Sequence, residues 1–235
     1  MTFIERLTGV FASPRRTFSA VAEKPVWGDV LIVILIALAV YATVVAPYAQ
    51  HEQVQMLKDS AKLKERMGQE RFNQYIADQE KPATPWKMVQ TAGGAPLIFV
   101  LSMLVQAAAL MVLGRFVSTQ GTFKQVFASL IHANLIYALA GNGVRMILSL
   151  MRRSVMQVST GLPLLFPKME VTSTPYLILA QVDFFQLWVF GVLAFGLAAA
   201  FKIDLKKALV LSYAVWFLKA VANVGLALFG MSFIR

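Results

Sequence analysis

Apolar residues in this chain come in blocks too long for the strands or surface helices of a water-soluble core. Residues 30–49, VLIVILIALAVYATVVAPYA, carry no charge and reach Pro47 only in the last turn. A helix of about 20 predominantly apolar residues crosses the hydrocarbon layer of a bilayer, so this block is expected to span a membrane. Blocks at 95–113, 126–151, 176–201 and 208–233 meet the same criterion, although the last three contain ionisable groups. Gly93-Gly94 open the second block and Pro96 falls in its first turn, where a missing N–H matters little. The pattern predicts an all-α polytopic membrane protein, a five-helix transmembrane bundle occupying residues 30–235. The first block does not read as a signal peptide, because 29 residues precede it and no Ala-x-Ala site comes after it.

Two stretches outside the blocks have patterns of their own. In residues 1–29, Phe3, Ile4, Leu7, Val10 and Phe11 are followed by Pro14 and then by Phe18, Val21 and Ala22 among Arg15, Arg16 and Lys24. These spacings predict two short amphipathic helices, with Ser13 as N-cap and Pro14 at the first helical position. The segment could lie at the headgroups with Phe11 and Phe18 down and Arg15 and Arg16 outward, or it could pack on the spans. Residues 50–90 form the one long polar insertion. From His51 to Glu80 it lacks proline and should be helical, with an interrupted apolar stripe of Val54, Leu57, Ala61, Met67, Phe72, Tyr75 and Ile76. It reads either as an outer docking helix for another protein or as a solvated cap over the bundle. A third stretch, GLPLLFP at 161–167, is apolar but too short and too proline-broken to span, and is expected to be interfacial or re-entrant.

Composition sharpens the class. The chain has 235 residues, 58% of them hydrophobic and only 14% charged, where a soluble domain carries about 25% charged residues. Its formal charge is +10, from 22 Lys and Arg against 12 Asp and Glu. In so apolar a chain, anionic lipid headgroups and the positive-inside bias account for that excess, and no basic stripe with stacking aromatics points to nucleic acid. Cysteine is absent, which removes disulfides, thiolate catalysis and Cys-based metal sites. Orientation is less direct. With the N-terminus inside, the cytoplasmic face holds Arg6, Arg15, Arg16, Lys24, Arg115, Lys124, Lys202, Lys206 and Lys207, while the long outer loop mixes seven bases with six acids and the Arg152-Arg153 pair argues the other way. Long loops weigh little in this balance, and the expected topology is N-terminus cytoplasmic, C-terminus extracytoplasmic.

Charges at membrane depth are functional candidates when a partner can be named. Arg145 lies six residues before the end of the third block and Asp183 seven after the start of the fourth, each about 10 Å below the same surface at 1.5 Å per residue. Lys219, eleven residues into the fifth block, can approach from below. Asn142 shares a helix face with Arg145, Gln186 with Asp183, and Asn223 with Lys219. An intramembrane polar seam of Asn142, Arg145, Asp183, Gln186, Lys219 and Asn223 is therefore expected. It serves as interhelical glue, as a transport or proton path, or, with two cations for one carboxylate, as an anion or headgroup site. No metal site can be assembled from His51 and His132, no catalytic motif is present, and neither an enzyme nor a cofactor is expected.

Several segments resemble a known family. GTFKQVFASLIHANLIYAL, at 121–139, resembles the central signature of the Yip family, the Ypt-interacting-protein membrane domain. FASPRRTFSAVAEKPVWG, at 11–28, is similar to the N-terminal segment of its bacterial members, with Pro14, Phe18 and Pro25 in matching places, and FKIDLKKALVLSY, at 201–213, looks like the start of its last span. Residues 134–136 depart from the pattern where many relatives carry proline, and the long outer loop departs too. The resemblance implies a five-span bundle with a cytosolic N-terminus in a bacterial inner membrane, and no catalytic residues. It also implies a trafficking-type role, as in eukaryotic relatives, or an accessory subunit working with ABC-type exporters. The expected function is thus a membrane accessory or scaffold protein whose partners are lipids, a larger membrane assembly and a second copy of the chain. A small transporter or channel and a membrane-shaping protein are the alternatives.

Overall fold

The computed structural model describes residues 1–81, 85–156 and 158–232, with backbone alone at 85–93, 95 and 232. The C-terminal end of the fifth expected block, at Phe233, lies outside them. Within the described residues eleven α-helices succeed one another: α1 (Phe3–Ala12), α2 (Pro14–Glu23), α3 (Gly28–Lys58), α4 (Ala61–Met67), α5 (Gln69–Glu80), α6 (Pro85–Gly114), α7 (Phe123–Leu135), α8 (Asn142–Arg152), α9 (Thr174–Leu179), α10 (Phe184–Phe201) and α11 (Leu205–Ser232). Four stretches among these residues are long and apolar enough to cross a membrane: Gly28–Lys58, Pro96–Gly114, Phe184–Phe201 and Leu205–Met231. Helices α7 and α8 are joined without a break by a π-helical segment, Ile136–Gly141, into one rod.

Helix α10 is the centre of the bundle. Of its apolar stretch 56% is buried inside the protein, against 17% for α3 and 6% for α11, whose outer faces are left for lipid. Phe190, Leu193, Leu197 and Phe201 of α10 are buried with Leu130, Ile131 and Leu135 of α7 and Leu110 of α6. At its C-terminal end the Phe201 ring fills a gap made by two glycines. A Cβ on Gly114 would fall 2.3 Å from its Cζ, and one on Gly121, at φ +88°, 2.7 Å from its Cδ1. Ser118 Oγ donates to the Phe201 carbonyl at 2.6 Å. The end of α6, the start of α7 and the end of α10 therefore meet at one end of the bundle. At the other end the α7–α8 rod finishes beside the start of α10, so the rod and α10 run antiparallel over the same depth.

Local signals explain the boundaries. Thr122 and Gln125 form a reciprocal capping box at the start of α7, and Gln125 Nε2 also donates to the Ala22 carbonyl at 2.8 Å, tying the end of α2 to α7. Asp204 accepts the Lys207 N–H at the start of α11, and that bond holds its carboxyl below the usual range. Ser13 precedes α2 as expected but its side chain makes no cap bond, while Pro14 does occupy the first turn.

Two expectations are revised here. The second apolar block is the latter part of a helix beginning at Pro85, so Pro96 is interior and not in the first turn. The fourth block is not continuous from Tyr176: α9 ends at Leu179, and α10 begins only at Phe184. Asp183 is the reason, since its side chain accepts the Gln186 N–H at 3.0 Å as an N-cap and its backbone is extended.

The N-terminal segment forms a helical hairpin docked on α7 and α10. Phe18 and Val21 are fully buried, Phe11 meets Trp188 edge-on at 6.0 Å, and Arg15 and Arg16 stay exposed. A Cβ on Gly196 would come within 2.9 Å of Phe18 Cδ1, so α2 lies against α10 almost backbone to ring. From Leu7 onward the apolar face of the hairpin thus meets protein, as in the second of its two sequence readings, while Phe3 and Ile4 at its start stay exposed. In the insertion, Val54 of α3 packs with Phe72 and Ile76 of α5 in a small separate core, bordered by Leu57, Leu63, Met67 and Tyr75. Gln50 Nε2 donates to the carbonyls of Gln79 and Lys81, and Lys58 pairs with Glu80, so the insertion folds back on the extended end of α3. GLPLLFP holds a single 3-10 turn, Leu162–Leu165, with Leu164 and Leu165 exposed.

Candidate functional site

The polar residues of α8, α10 and α11 converge at the end of the bundle away from Phe201. Asp183 is the hub. Its Oδ2 accepts from Arg145 Nη2 at 2.8 Å and from the Thr160 hydroxyl, while Oδ1 caps α10. Its side chain is 4% exposed and that of Arg145 is 21% exposed, so the carboxylate is out of solvent and the guanidinium partly so. Arg145 uses each of its three nitrogens: Nε donates to Thr160 Oγ1 at 3.0 Å, Nη1 to the Tyr137 hydroxyl, and Nη2 to Asp183. This planar fork, filled on every prong, is a role that lysine's single ammonium lacks.

Two backbone devices put these groups in reach. Tyr137 and Arg145 are eight residues apart, which on a regular α-helix leaves them about 80° out of register. The wider i→i+5 turns of the π segment under-wind the rod between them and bring both to one face. The segment also lets Phe185 approach Gly141, where a Cβ would meet the Phe185 ring at 3.2 Å. Residues 160–162 form a short antiparallel bridge with 182–184: Leu162 N–H donates to the Val182 carbonyl and Phe184 N–H to that of Thr160. A Cβ at Gly161 would sit 2.9 Å from the Val182 oxygen, so the close approach that presents Thr160 to Asp183 needs glycine. Glu52, from the end of α3, holds the preceding loop by accepting from Ser154 Oγ and from the N–H groups of Val155 and Met156.

Lys219 belongs to the same cluster but not to the ion pair. Its Nζ donates to Gln186 Oε1 at 2.8 Å and stands 5.8 Å from the centre of the Phe190 ring. Among the described residues it has no carboxylate within ion-pair distance. Asn223, one turn further along α11, donates to Gln181 Oε1 at 3.1 Å. A cavity of about 150 Å³ separates these groups, lined by Tyr137, Arg145, Asp183, Gln181, Gln186, Trp216, Lys219 and Asn223.

Of the six residues expected in the seam, Arg145, Asp183, Gln186, Lys219 and Asn223 line this one cavity. Asn142 is buried on the rod and no hydrogen bond joins it to the others among the described residues. Tyr137, Thr160, Gln181 and Trp216 were not anticipated. Periodicity could not place Tyr137 because of the π turn, and Thr160 arrives from an irregular loop. His132 is remote from the cluster in its bonding: its Nδ1 faces the Ala128 carbonyl of its own helix at 2.8 Å, and it is fully buried. Of the other buried polar residues, Asn134 donates to the Leu130 carbonyl and Gln106 to Ser102 within their own helices, and Ser212 of α11 donates across to the Phe190 carbonyl of α10. The hydroxyls of Thr17, Ser129 and Ser149 have no hydrogen-bond partner among the described residues.

The geometry can lock three helix ends and present a cationic side chain to a small cavity. Among the described residues the cluster holds no paired carboxylates, and the one carboxylate beside a hydroxyl, Asp183 next to Thr160, is also held by Arg145 and by the N-terminus of α10. Among known proteins, the family model described as the Yip1 domain matches residues 8–227. No curated protein and no solved structure matches the chain.

Proposed function

The chain belongs to the Yip1 domain family, and from that membership and the locked polar cluster we propose that it is a non-enzymatic scaffold or accessory protein of a bacterial inner membrane. In this reading it crosses the bilayer five times, the α7–α8 rod making the third pass, with its N-terminus cytoplasmic and its C-terminus outside. Its partner is a larger membrane assembly of the ABC-exporter kind, met through the lipid-facing sides of α3 and α11 and through the folded insertion α4–α5.

The observation that carries this reading is where the polar groups stop. Beyond Phe190, whose ring stands 5.8 Å from Lys219 Nζ, α10 buries Leu193, Leu197 and Phe201 against α7. The polar side chains of α7 at that depth, Ser129 and His132, are isolated, with no hydrogen bond to the cluster or to one another among the described residues. A transport path needs a polar or wet lining along its length, whereas this cluster is confined to one end and satisfied chiefly by its own members. The membrane-shaping alternative is weakened because Phe18 and Val21 pack on protein and are not free to wedge into lipid.

Reconstitution tests it. Vesicles holding the purified protein are expected to pass protons and small solutes no faster than empty ones, and mild-detergent extraction after cross-linking in native membranes should retain it in a complex larger than the chain. Recovery as a lone species, with a flux that Lys219→Met abolishes, would refute it.

A further inference from the structure

Lys219 poses a problem that the rest of the cluster does not solve. In the ion pair beside it, Arg145 and Asp183 neutralise one another. Lys219 adds a further positive charge, and what it meets inside the protein is an amide oxygen and a ring face. An ammonium at the edge of the hydrocarbon without a counter-charge is costly, and a lysine offers three donors, of which one is used here. The unused side faces a cavity of about 150 Å³, roomy by the measure that about 10–15 Å³ of such volume holds one water.

From this geometry we infer that the cavity between α10 and α11 is a site for a phosphate-bearing anion, with Lys219 as its principal charge. The arithmetic favours a single negative charge: Arg145 and Lys219 against Asp183 leave one positive charge over the lining. A phosphate diester supplies that charge and several acceptor oxygens. Gln186 holds the ammonium from the protein side, and exposed Asn223 marks where the cavity opens. From this level toward the Phe201 end of the bundle, which is the direction of the hydrocarbon core, α11 exposes Val210, Phe217 and Leu218, a surface suited to the acyl chains of a lipid whose headgroup is seated at Lys219. The same oxygens and charge could come from free phosphate. The site is independent of the scaffold reading, since a transporter or a scaffold could each hold such an anion.

The test compares the full chain in nanodiscs of phosphatidylcholine, of phosphatidylcholine with phosphatidylglycerol, and of phosphatidylcholine with inorganic phosphate in the buffer. Phosphatidylglycerol is expected to raise the melting temperature, and native mass spectrometry should show one such lipid retained. Lys219→Met should weaken that binding about tenfold or more, the scale of one charge-assisted hydrogen bond, while leaving helicity and gel-filtration behaviour unchanged. Lys219→Arg, which keeps the charge, should retain most of it. A rise produced equally by inorganic phosphate, and competing with the lipid, would identify the free ion as the source. The inference is overturned if neither anion stabilises the protein, or if Lys219→Met responds to both as the wild type does.

Discussion

Single residues in this protein act by what their removal leaves stranded. Replacing Asp183 by Asn keeps an N-cap for α10, because asparagine caps as well as aspartate, but leaves the Arg145 guanidinium without its counter-charge. Removing one partner of a buried pair costs about 3–5 kcal/mol, so Asp183→Asn should lower unfolding free energy in detergent by that order while helix content before the transition is unchanged. Arg145→Lys should fail as well, since one ammonium cannot serve Thr160, Tyr137 and Asp183 together. Glycines divide the same way. A Cβ at Gly196 would lie 2.5 Å from Ser129 Cβ and force α2, α7 and α10 apart, whereas one at Gly225 would meet nothing within 4 Å. Gly196→Ala is therefore expected to cost about 1–3 kcal/mol by overpacking, and Gly225→Ala to be neutral or to stabilise α11 by up to about 1 kcal/mol through helix propensity. Thermal melts of the two variants side by side check both signs. The pairing of Arg145 with Asp183 was legible in the spacing of charges along two apolar blocks. Their partners Tyr137 and Thr160 were not, because a π turn and a loop bridge leave no periodic trace.

At the scale of elements, pattern gives the apolar face of a helix but not what covers it. The spacing of Phe11, Phe18 and Val21 was readable, yet it fits a headgroup layer and a protein groove equally well, and the glycine at 196 that admits Phe18 lies 178 positions away in the chain. Composition likewise ran the fourth apolar block through Asp183, since Tyr176 to Ala180 are as apolar as the residues of α10. The preference of aspartate for the cap decided otherwise. The insertion shows the converse, for its weak stripe of Val54, Phe72 and Ile76 proved to be a complete if small core. A cluster with three buried side chains has little stability to lose. Truncating a buried phenylalanine costs about 3–5 kcal/mol, enough to open such a unit locally without unfolding the bundle. In Phe72→Ala, trypsin should cut between Lys62 and Arg71 far faster than in the wild type, with the membrane helices still protected. Equal cleavage of both proteins would mean that the insertion does not dock on α3.

The whole molecule turns on whether the α7–α8 rod crosses the bilayer, because its π segment hides from any criterion based on one regular helix. The rod runs beside α10 from the Phe201 end to the Asp183 end, and its buried residues, Val126 through Ile136, are covered all round, by α10 on one side and by α2, α3 and α6 on the others. In the proposed five-pass reading the rod, paired with a spanning helix over that depth, crosses the hydrocarbon beside it, its backbone satisfied within helices as lipid requires. Five passes place Glu65 and Lys168 on one side of the membrane and Gln120 and Lys206 on the other. With only the four long helices crossing, Lys168 would join Gln120, and Lys206 would join Glu65. The chain contains no cysteine, so Glu65→Cys, Gln120→Cys, Lys168→Cys and Lys206→Cys, all at exposed positions, each introduce one thiol into an unreactive background. With an impermeant maleimide applied to intact cells, Glu65→Cys and Lys168→Cys are expected to label at once, and Gln120→Cys and Lys206→Cys only after permeabilisation. Labelling of Lys206→Cys together with Glu65→Cys would place the rod on the surface and would reverse the side on which the chain ends.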